Sequence, residues 1–370
     1  MTHPISIERL TDLTNRFVVE GNLVEAIPHG SGHINDTFAL RLTATRGDRR
    51  YILQRINRRV FKNVPALMEN IARVCRHIRG CLEAEGRDDV DRRALSLIPT
   101  RHGQDFLLDD AGEYWRLYPF IESARTCDII QSNKQVYEAA RTFGHFQRYL
   151  VDLPGPRLHE TIPEFHHTRA RFNAFLNAVK DDACGRVASA RNEIAFARSR
   201  EAIVDILVDQ QAAGILPERI THNDTKINNV LMDAETQEGL CVIDLDTVMP
   251  GLALYDFGDM TRTATNTAAE DERDLSRMGC DLARFDVLTR GYLSATHHFL
   301  NEAEIQQLPF AGILITFETG LRFLTDYLSG DTYFRVHRDG HNLDRARAQF
   351  KLMTSMEDQR ERMQQIVEEQ

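Results

Sequence analysis

The sequence predicts an α+β protein made of two lobes, a small antiparallel sheet with helices followed by a mainly helical part. In residues 23–56, short stretches of alternating apolar and polar side chains are separated by polar turns, which is typical of antiparallel strands. From residue 131 onward, apolar side chains recur at the three- and four-residue spacing of amphipathic helices. The pattern changes near Pro119, so we predict an N-terminal lobe of residues 1–120 and a C-terminal lobe of residues 121–370.

The N-terminal lobe is predicted to open with an amphipathic helix at residues 5–17, and a second helix starts near Val64. Its predicted strands cover residues 23–27, 35–43, 51–56, 94–99, 106–108 and 114–117. Polar and glycine-containing turns between these strands favour hairpin connections. The lobe should therefore form one small antiparallel sheet with a helix against it.

The C-terminal lobe is predicted to contain several long helices and one short hairpin. The predicted helices cover residues 136–150, 164–179, 192–211, 282–299 and 302–327. Pro309 should bend or break the last of them, because proline lacks the N–H that a helix interior needs. Two apolar segments, residues 229–232 and 240–243, flank a polar turn and interrupt the helices as a hairpin.

Composition places the 370-residue chain among ordinary globular proteins, with 42% hydrophobic and 27% charged residues. The formal net charge of -10 argues against broad attraction to nucleic acids or anionic membranes. The N-terminus lacks the apolar core of a signal peptide, and the apolar run near residues 308–317 is too short to span a bilayer. Six scattered cysteines form no C-x-x-C pair, so we expect reduced thiols in a cytoplasmic protein.

Polar side chains border the predicted hairpin on both sides. Asp224 lies five residues before Asn229, which begins the first strand, and Asp244 ends the second strand. Phosphoryl transfer from a metal-bound nucleotide needs such a set, a carboxylate that deprotonates an acceptor hydroxyl and oxygen ligands that hold Mg²⁺. We predict Asp224 as the catalytic base and Asn229 with Asp244 as metal ligands. Asp246 faces the same way by strand alternation and is predicted as a further ligand.

Two other residues of this stretch receive supporting roles. Lys226 lies two residues beyond Asp224, where its ammonium can offset charge on the transferred phosphoryl group. His222 is expected to brace the loop rather than take part in the chemistry. Asn and Asp are common in turns, so the joint pattern, rather than any single residue, predicts a phosphotransferase that uses ATP and Mg²⁺.

The nucleotide is expected to contact the first turn of the sheet and one of its strands. Gly30-Ser31-Gly32 forms a turn whose backbone N–H groups can approach phosphate oxygens. Only one of the neighbours Gln54 and Arg55 can face the cleft, because successive strand side chains point to opposite faces. By charge we prefer Arg55, paired with Glu69 on the following helix.

The string HNDTKINN at residues 222–229, followed by IDLD at residues 243–246, resembles the aminoglycoside phosphotransferase and choline kinase superfamily. This resemblance implies a two-lobed protein-kinase-like fold whose cleft binds ATP and Mg²⁺. Asp256, in the string LALYDFGD, matches an aspartate that follows the metal motif in that superfamily. The implied role of Asp256 is structural support rather than catalysis.

Longer strings are similar to those of the bacterial N-acetylhexosamine 1-kinase family, namely GSGHINDTF (30–38), YILQRIN (51–57), THNDTKINNV (221–230), VIDLDTVMPGLALYDFGD (242–259) and GLRFLTDYLSGDTYFRVHRDGHNLDRARAQFKL (320–352). That family phosphorylates the anomeric hydroxyl of N-acetylglucosamine and N-acetylgalactosamine with ATP and Mg²⁺. The resemblance implies that His33, Arg322 and Tyr333 contact the sugar. Beyond Asp259, where the family often carries a bulky aromatic residue, this chain has Arg262-Thr263.

Two alternatives remain open on the same residues. A kinase for another small hydroxylated acceptor, such as an amino alcohol or an aminoglycoside, would want a strongly acidic pocket, which the match of Arg322 and Tyr333 does not favour. A non-catalytic sensor of nucleotide or sugar would show degenerate metal positions, whereas Asp224, Asn229 and Asp244 are all present. The expected partners are ATP and a small sugar, with no nucleic acid and no membrane. The oligomeric state and the preferred sugar epimer stay open, and a monomer is compatible with the sequence.

Overall fold

A computed structural model describes residues 5–30, 34–45 and 47–370, and its N-terminal part is an antiparallel sheet with helices on both faces. The strands are β1 (Asn22–Pro28), β2 (Asp36–Ala44), β3 (Gly47–Ile56), β4 (Leu107–Leu108) and β5 (Tyr114–Pro119), and the helices are α1 (Ile7–Asn15), α2 (Val64–Ala84) and α3 (Val90–Arg93). In the sheet the strands follow the order β1-β2-β3-β5-β4. We call this part the sheet lobe.

The part of the chain that follows β5, which we call the helical lobe, carries most of the helices and two small sheets. The helices are α4 (Asn133–Leu150), α5 (Thr168–Asp181), α6 (Arg191–Arg198), α7 (Ile206–Ala212), α8 (Ala253–Ala264), α9 (Leu282–Thr296), α10 (Glu302–Gln306), α11 (Leu308–Leu328), α12 (His341–Asp358) and α13 (Arg360–Glu368). The strands are β6 (Ala124–Arg125), β7 (Arg219–Thr221), β8 (Val230–Asp233), β9 (Gly239–Val242) and β10 (Met249–Gly251). One sheet has the order β6-β8-β9, and β7 pairs with β10 in the other.

The two faces of the five-stranded sheet pack against different helices. Leu53 of β3 is buried with Leu10 and Leu13 of α1. Ile56, on the opposite face of the same strand, is buried with Leu67 of α2 in a core that continues into the helical lobe. Because side chains alternate along a strand, the face that carries Ile56 is the one turned toward the helical lobe.

The predicted α+β class is confirmed, and the predicted hairpin is formed by β8 and β9. Pro309 lies in the first turn of α11, where its missing N–H costs no helix hydrogen bond, so the predicted helix 302–327 is two helices. The predicted helix 192–211 is likewise divided into α6 and α7. The predicted strand 94–99 is wrong, because this segment joins no ladder and β4 takes the edge of the described sheet. The six cysteines are free thiols, as expected.

The helices α8 and α11 approach each other closely in the core of the helical lobe. A Cβ on Gly258 would lie 2.5 Å from the carbonyl oxygen of Ala311, and one on Gly312 would lie 2.7 Å from Cγ2 of Thr261. Both contacts are too short for any larger residue, so glycine sets this helix spacing. The 21-residue α11 is long and apolar enough to cross a membrane, but 89% of its most apolar window is buried inside the protein, as in a core helix.

Candidate active site

The loop between β7 and β8, which carries Asp224, is shaped by the residue before it. Asn223 has a φ of +64°, a left-handed conformation that asparagine tolerates better than most residues. Its Oδ1 accepts a hydrogen bond from Thr221 Oγ1 (2.9 Å), and its Nδ2 donates to the carbonyl oxygen of Thr247 (2.9 Å). The two contacts fix the backbone from which Asp224 projects.

Asp256 of α8 holds the same loop in place by hydrogen bonds. Its carboxylate accepts hydrogen bonds from the backbone N–H groups of His222 (2.9 Å) and Asn223 (2.7 Å) and from Gln147 Nε2 (2.7 Å). Its carbonyl oxygen accepts from Thr225 Oγ1 (2.6 Å). Asp256 is fully buried, so no substrate can reach it, and its position agrees with the supporting role that the sequence implied.

His222 joins the loop to the segment between β9 and Asp244. Its Nε2 donates to the carbonyl oxygen of Ile243 (2.9 Å), and its Nδ1 accepts from the N–H of Asp224 (3.3 Å). A ring with one acceptor partner and one donor partner is the neutral tautomer that carries hydrogen on Nε2. His222 therefore braces the loop, as predicted.

Asp224 is the carboxylate of the loop that opens to the cleft, with its side chain 27% exposed. Lys226 Nζ lies 2.8 Å from Oδ1, and Asn229 Nδ2 donates to Oδ2 (3.1 Å) and to the Asp224 carbonyl (2.8 Å). Burial by itself would raise the pKa of Asp224, but the charge and hydrogen bond of Lys226 outweigh it and hold the pKa below its usual range. An ionised, reachable carboxylate can accept a proton from a hydroxyl.

Asp244 follows β9 in a left-handed conformation with a φ of +59° and is exposed toward the cleft. Desolvation, together with the negative charges of Asp246 and Asp224, raises the pKa of Asp244 to about 6. Carboxylates that repel one another in this way gain from a cation between them. Since Asn229 uses its Nδ2 on Asp224, its Oδ1 is the atom left for a metal, so the donor set fits a hard divalent cation such as Mg²⁺.

Asp246 is held by the sheet lobe, which the sequence did not indicate. Its carboxylate forms an ion pair with Arg116 of β5 and accepts a 2.5 Å hydrogen bond from Asn35 Nδ2. Arg116 Nε also donates to Gln54 Oε1 (2.9 Å), and Gln54 Nε2 donates to Thr37 Oγ1 (3.0 Å). Asp246 therefore couples the two lobes, and any metal bound there would share it with Arg116 and Asn35.

The predicted pairing of Arg55 with Glu69 is wrong. Arg55 forms an ion pair with Asp36 on the neighbouring strand, whereas Glu69 lies 2.9 Å from His159 Nε2. Strand alternation explains the difference, because Arg55 shares the face of Leu53 that packs on α1. Gln54 and Arg116 take the cleft-side face instead.

Of the predicted phosphate-binding turn, the structure describes Gly30 alone. Gly30 lies two residues beyond β1 with a φ of +78°, and a Cβ there would meet no atom within 4 Å. The conformation, rather than crowding, accounts for glycine at this position. Ser31, Gly32 and His33 lie outside the described residues.

Arg322 and Tyr333, which the resemblance assigns to the sugar, are brought together. The guanidinium carbon of Arg322 lies 5.9 Å from the ring centre of Tyr333, 5.0 Å from that of Phe165 and 5.5 Å from that of Phe334. Asp326 holds the Tyr333 segment by accepting hydrogen bonds from the N–H groups of Tyr333 (2.8 Å) and Phe334 (2.9 Å). The result is an aromatic corner with one cation and a half-exposed phenol.

Arg262 and Asp259 form a buried ion pair near the loop. The sequence pattern assigned no role to this pair. Arg262 donates through Nε (2.9 Å) and Nη2 (2.8 Å) to Asp259 Oδ1 and through Nη1 to Glu270 (2.9 Å). Burial would lower the pKa of Lys226, but the negative charges of Asp224 and Asp259 raise it. Asp259 lies one helical turn beyond Asp256, so both carboxylates lie on the same side of α8. This three-residue spacing is the sequence feature from which a link between Asp259 and the loop could have been predicted.

Residues 25–288 match the family model APH, described as the phosphotransferase enzyme family. The fold is similar to that of an aminoglycoside phosphotransferase from Alicyclobacillus acidocaldarius (TM-score 0.61, 13% identity, 100% of this chain and 98% of that one). It is also similar to choline kinase from Cryptosporidium parvum (TM-score 0.58, 14% identity, 98% of each chain). A third similar structure is the spectinomycin phosphotransferase APH(9)-Ia with ADP and spectinomycin (TM-score 0.56, 14% identity, 96% of this chain and 99% of that one).

Because the match covers more than half of the chain, the protein belongs to the APH phosphotransferase family. Its two-part fold is the kinase-like fold of the aminoglycoside phosphotransferases and choline kinases. The arrangement around Asp224 is compatible with that class, since phosphoryl transfer requires a carboxylate that accepts a proton and positive charge near the phosphoryl group.

Proposed function

We propose that this phosphotransferase transfers the γ-phosphoryl group of ATP to the anomeric hydroxyl of an N-acetylhexosamine and releases the 1-phosphate. Membership of the APH family supports the reaction type, and similar structures carry ADP. The resemblance of the strings around Arg322 and Tyr333 supports the sugar. In this proposal residues 1–120 hold the nucleotide and residues 121–370 supply the catalytic and sugar-binding groups.

In the proposed mechanism Asp224 orients the acceptor hydroxyl and takes its proton as the oxygen attacks phosphorus. Lys226, which pairs with Asp224 in the free protein, turns its ammonium to the transferred phosphoryl group and offsets its charge. Asn229, Asp244 and Asp246 would hold Mg²⁺, which when bound neutralises charge on the nucleotide phosphates. His222 and Asp256 keep the loop in position throughout.

The positive charge around Arg322 is the observation that favours a neutral sugar as the acceptor. Arg322 stands beside Arg171, and burial together with the charge of Arg322 lowers the pKa of Arg171. A choline-like or aminoglycoside acceptor would add a further cation beside these two arginines. A neutral N-acetylhexosamine instead offers hydroxyl and acetamide oxygens, which accept hydrogen bonds from guanidinium and phenol groups.

A different neutral acceptor on the same groups is the second candidate. In the segment after Asp259, where the resembled family often has a bulky aromatic residue, this chain has Arg262-Thr263, and a smaller side chain such as that of Thr263 would leave room for another sugar or polyol. Thr263 donates to the carbonyl oxygen of Asp259 (2.9 Å) and so lies on the helix face that adjoins the buried ion pair. The acceptor panel below separates the two candidates.

The test is a panel of N-acetylhexosamines, hexoses, choline and aminoglycosides with Mg-ATP, followed by ADP release. Phosphorus NMR then identifies the product, because an anomeric phosphate couples to the C1 proton. N-acetylglucosamine or N-acetylgalactosamine should give the fastest turnover and a 1-phosphate. Preference for a cationic acceptor, or a product phosphorylated elsewhere, would contradict the proposal.

A further inference from the structure

His166, which precedes α5, makes hydrogen bonds to acceptor atoms on both sides of its ring. Its Nδ1 lies 2.7 Å from Glu318 Oε1, and its Nε2 lies 3.1 Å from the carbonyl oxygen of Asn223. A carbonyl oxygen and a carboxylate can only accept hydrogen bonds. Both contacts are hydrogen bonds only if each ring nitrogen carries hydrogen, so this geometry favours the imidazolium form of a ring that is 7% exposed.

The contacts of the partner carboxylate favour its ionised form. Burial by itself would raise the pKa of Glu318, but His166, Thr168 and Arg171 outweigh it and hold the pKa below its usual range. Thr168 Oγ1 donates to Glu318 Oε2 at 2.6 Å, so each carboxylate oxygen has its own donor. The pair is therefore a buried salt bridge with its hydrogen bonds satisfied.

The surroundings of the ring include further charges and rings from three helices. Arg171 on α5 is a cation near Glu318, Arg322 on α11 is a cation near Arg171, and both oppose a further positive charge on the ring. The Tyr255 ring of α8 lies 5.2 Å away, and the Phe165 ring lies 4.7 Å away. Glu318 is thus the group that balances the imidazolium.

The two partners of His166 belong to different parts of the site, because Asn223 lies in the catalytic loop and Glu318 lies on α11. Asn223 is the left-handed residue next to Asp224, and its N–H and side chain are already held by Asp256, Thr221 and Thr247. Its carbonyl oxygen is held by His166. Glu318 lies one turn before Arg322 on α11, so both side chains share a face of that helix. His166 therefore joins the helix of the acceptor corner to the loop of the base.

We propose that His166 is a positioning residue whose imidazolium form ties the acceptor helix α11 to the catalytic loop. The inference rests on the proposed function only in taking Asp224 as the base and Arg322 as an acceptor contact. If the ring loses a proton, either Nδ1 and the carboxylate of Glu318 face each other as two acceptors, or the Asn223 carbonyl loses its donor. Both results leave a buried acceptor unpaired. Turnover should therefore fall as the pH rises through this deprotonation.

The decisive variant is Glu318→Gln. The new amide can donate to Nδ1 of a neutral imidazole, while its oxygen still accepts from Thr168. The same contacts then form without charge, so the alkaline limb that we expect in the kcat profile of the wild type should disappear.

His159→Asn is the matched control, since His159 also faces a glutamate, Glu69, but is half-exposed. It should leave the alkaline limb in place. His166→Ala should lower kcat tenfold to a hundredfold and raise the KM for the acceptor, with little change in the KM for ATP. An alkaline limb that is unchanged in Glu318→Gln would overturn the proposal.

Nitrogen NMR of the histidine rings tests the same point without substrate. At neutral pH His166 should show two protonated ring nitrogens, and His222 should show the neutral Nε2–H form as an internal reference. A neutral ring at His166 in the folded enzyme would overturn the inference while the acceptor assignment stands. If no N-acetylhexosamine is phosphorylated, the profiles are measured with whichever acceptor of the panel releases ADP.

Discussion

Arg116 of β5 and Asp246 beyond β9 form an ion pair between the two lobes, with side chains that are 1% and 3% exposed. The pair raises the pKa of Arg116 despite burial, which by itself would lower it. Asn35 adds a second contact from the sheet lobe to the same carboxylate. The sheet lobe, which was predicted to bind the nucleotide, and the segment after β9, which was predicted to bind metal, are thus joined at Asp246.

Replacing Arg116 with methionine should destabilise the protein by about 3 to 5 kcal/mol, because Asp246 would remain as a buried charge without its partner. Denaturant unfolding measures the loss. The exposed pair of Arg41 and Asp48 supplies the control, since both side chains are more than two-fifths exposed. Arg41→Ala should cost under about 1 kcal/mol, and equal losses in the two variants would contradict the buried role of Arg116.

The raised pKa of Asp244 implies that the ionised carboxylate, the form that would bind a metal, lowers the stability of the folded protein. The folded-state pKa, about 6, lies above the ordinary value of 3.8, so ionising Asp244 costs stability above that pH and the cost disappears in acid. Asp244→Asn should therefore raise the free energy of unfolding at pH 8 by roughly 1 kcal/mol, a figure kept small because the side chain is exposed.

The same substitution should abolish turnover and remove the stabilisation that Mg²⁺ gives to the wild type. Thermal unfolding at pH 5 and pH 8, with and without Mg²⁺, measures both effects. A variant that is less stable than the wild type at pH 8 would show that Asp244 is not repelled by its neighbours.

Lys226 should set the acid limb of the kcat/KM profile, because its charge holds the pKa of Asp224 down. In Lys226→Met that pKa should rise, so activity is lost at a higher pH on the acid side than in the wild type. Turnover should also fall, since the charge on the phosphoryl group is no longer offset. A lower kcat with the acid limb at the same pH as in the wild type would show that Lys226 does not control the pKa of Asp224.

Asp224→Asn tests the base directly. The amide cannot take a proton, so kcat should fall about a hundredfold to ten-thousandfold. The thermal midpoint should stay close to that of the wild type, because Asn229 can still donate to the side chain. Asp110, which is 83% exposed, provides the control, and Asp110→Asn should keep full activity. Normal turnover in Asp224→Asn would end its assignment as the base.

Arg322→Ala should raise the KM for the acceptor tenfold or more and leave the KM for ATP unchanged, because the guanidinium lies in the acceptor corner. Arg273, whose side chain is 76% exposed, is the matched control and should show neither change. Steady-state kinetics with each substrate varied in turn make the measurement. A rise in the KM for ATP instead would place Arg322 on the nucleotide side.

Local sequence patterns predicted the parts of the site that depend on neighbouring residues. The hairpin was predicted at residues 229–232 and 240–243 and is found at Val230–Asp233 and Gly239–Val242. The bracing role of His222 was also predicted, since its partner Ile243 lies across that hairpin.

The features that local patterns did not predict depend on which distant part of the chain packs against a given strand, helix or side chain. Alternation separated Gln54 from Arg55 but did not say that α1 covers the face of Arg55. The helix α8 is buried on nearly every side, so it shows no polar stripe by which to find it. No local pattern indicates a role for His166, because its partners are 57 and 152 residues away in the chain.

The glycines at the crossing of α8 and α11 have a mechanical consequence. Gly258 and Gly312 let these helices interlock at backbone distance, and α8 carries Asp256 while α11 carries Glu318 and Arg322. The two helices should consequently move as a single rigid body. In the proposed mechanism, any movement of the sheet lobe should leave the distance between Asp224 and Arg322 unchanged, so the acceptor site would not have to re-form in each catalytic cycle.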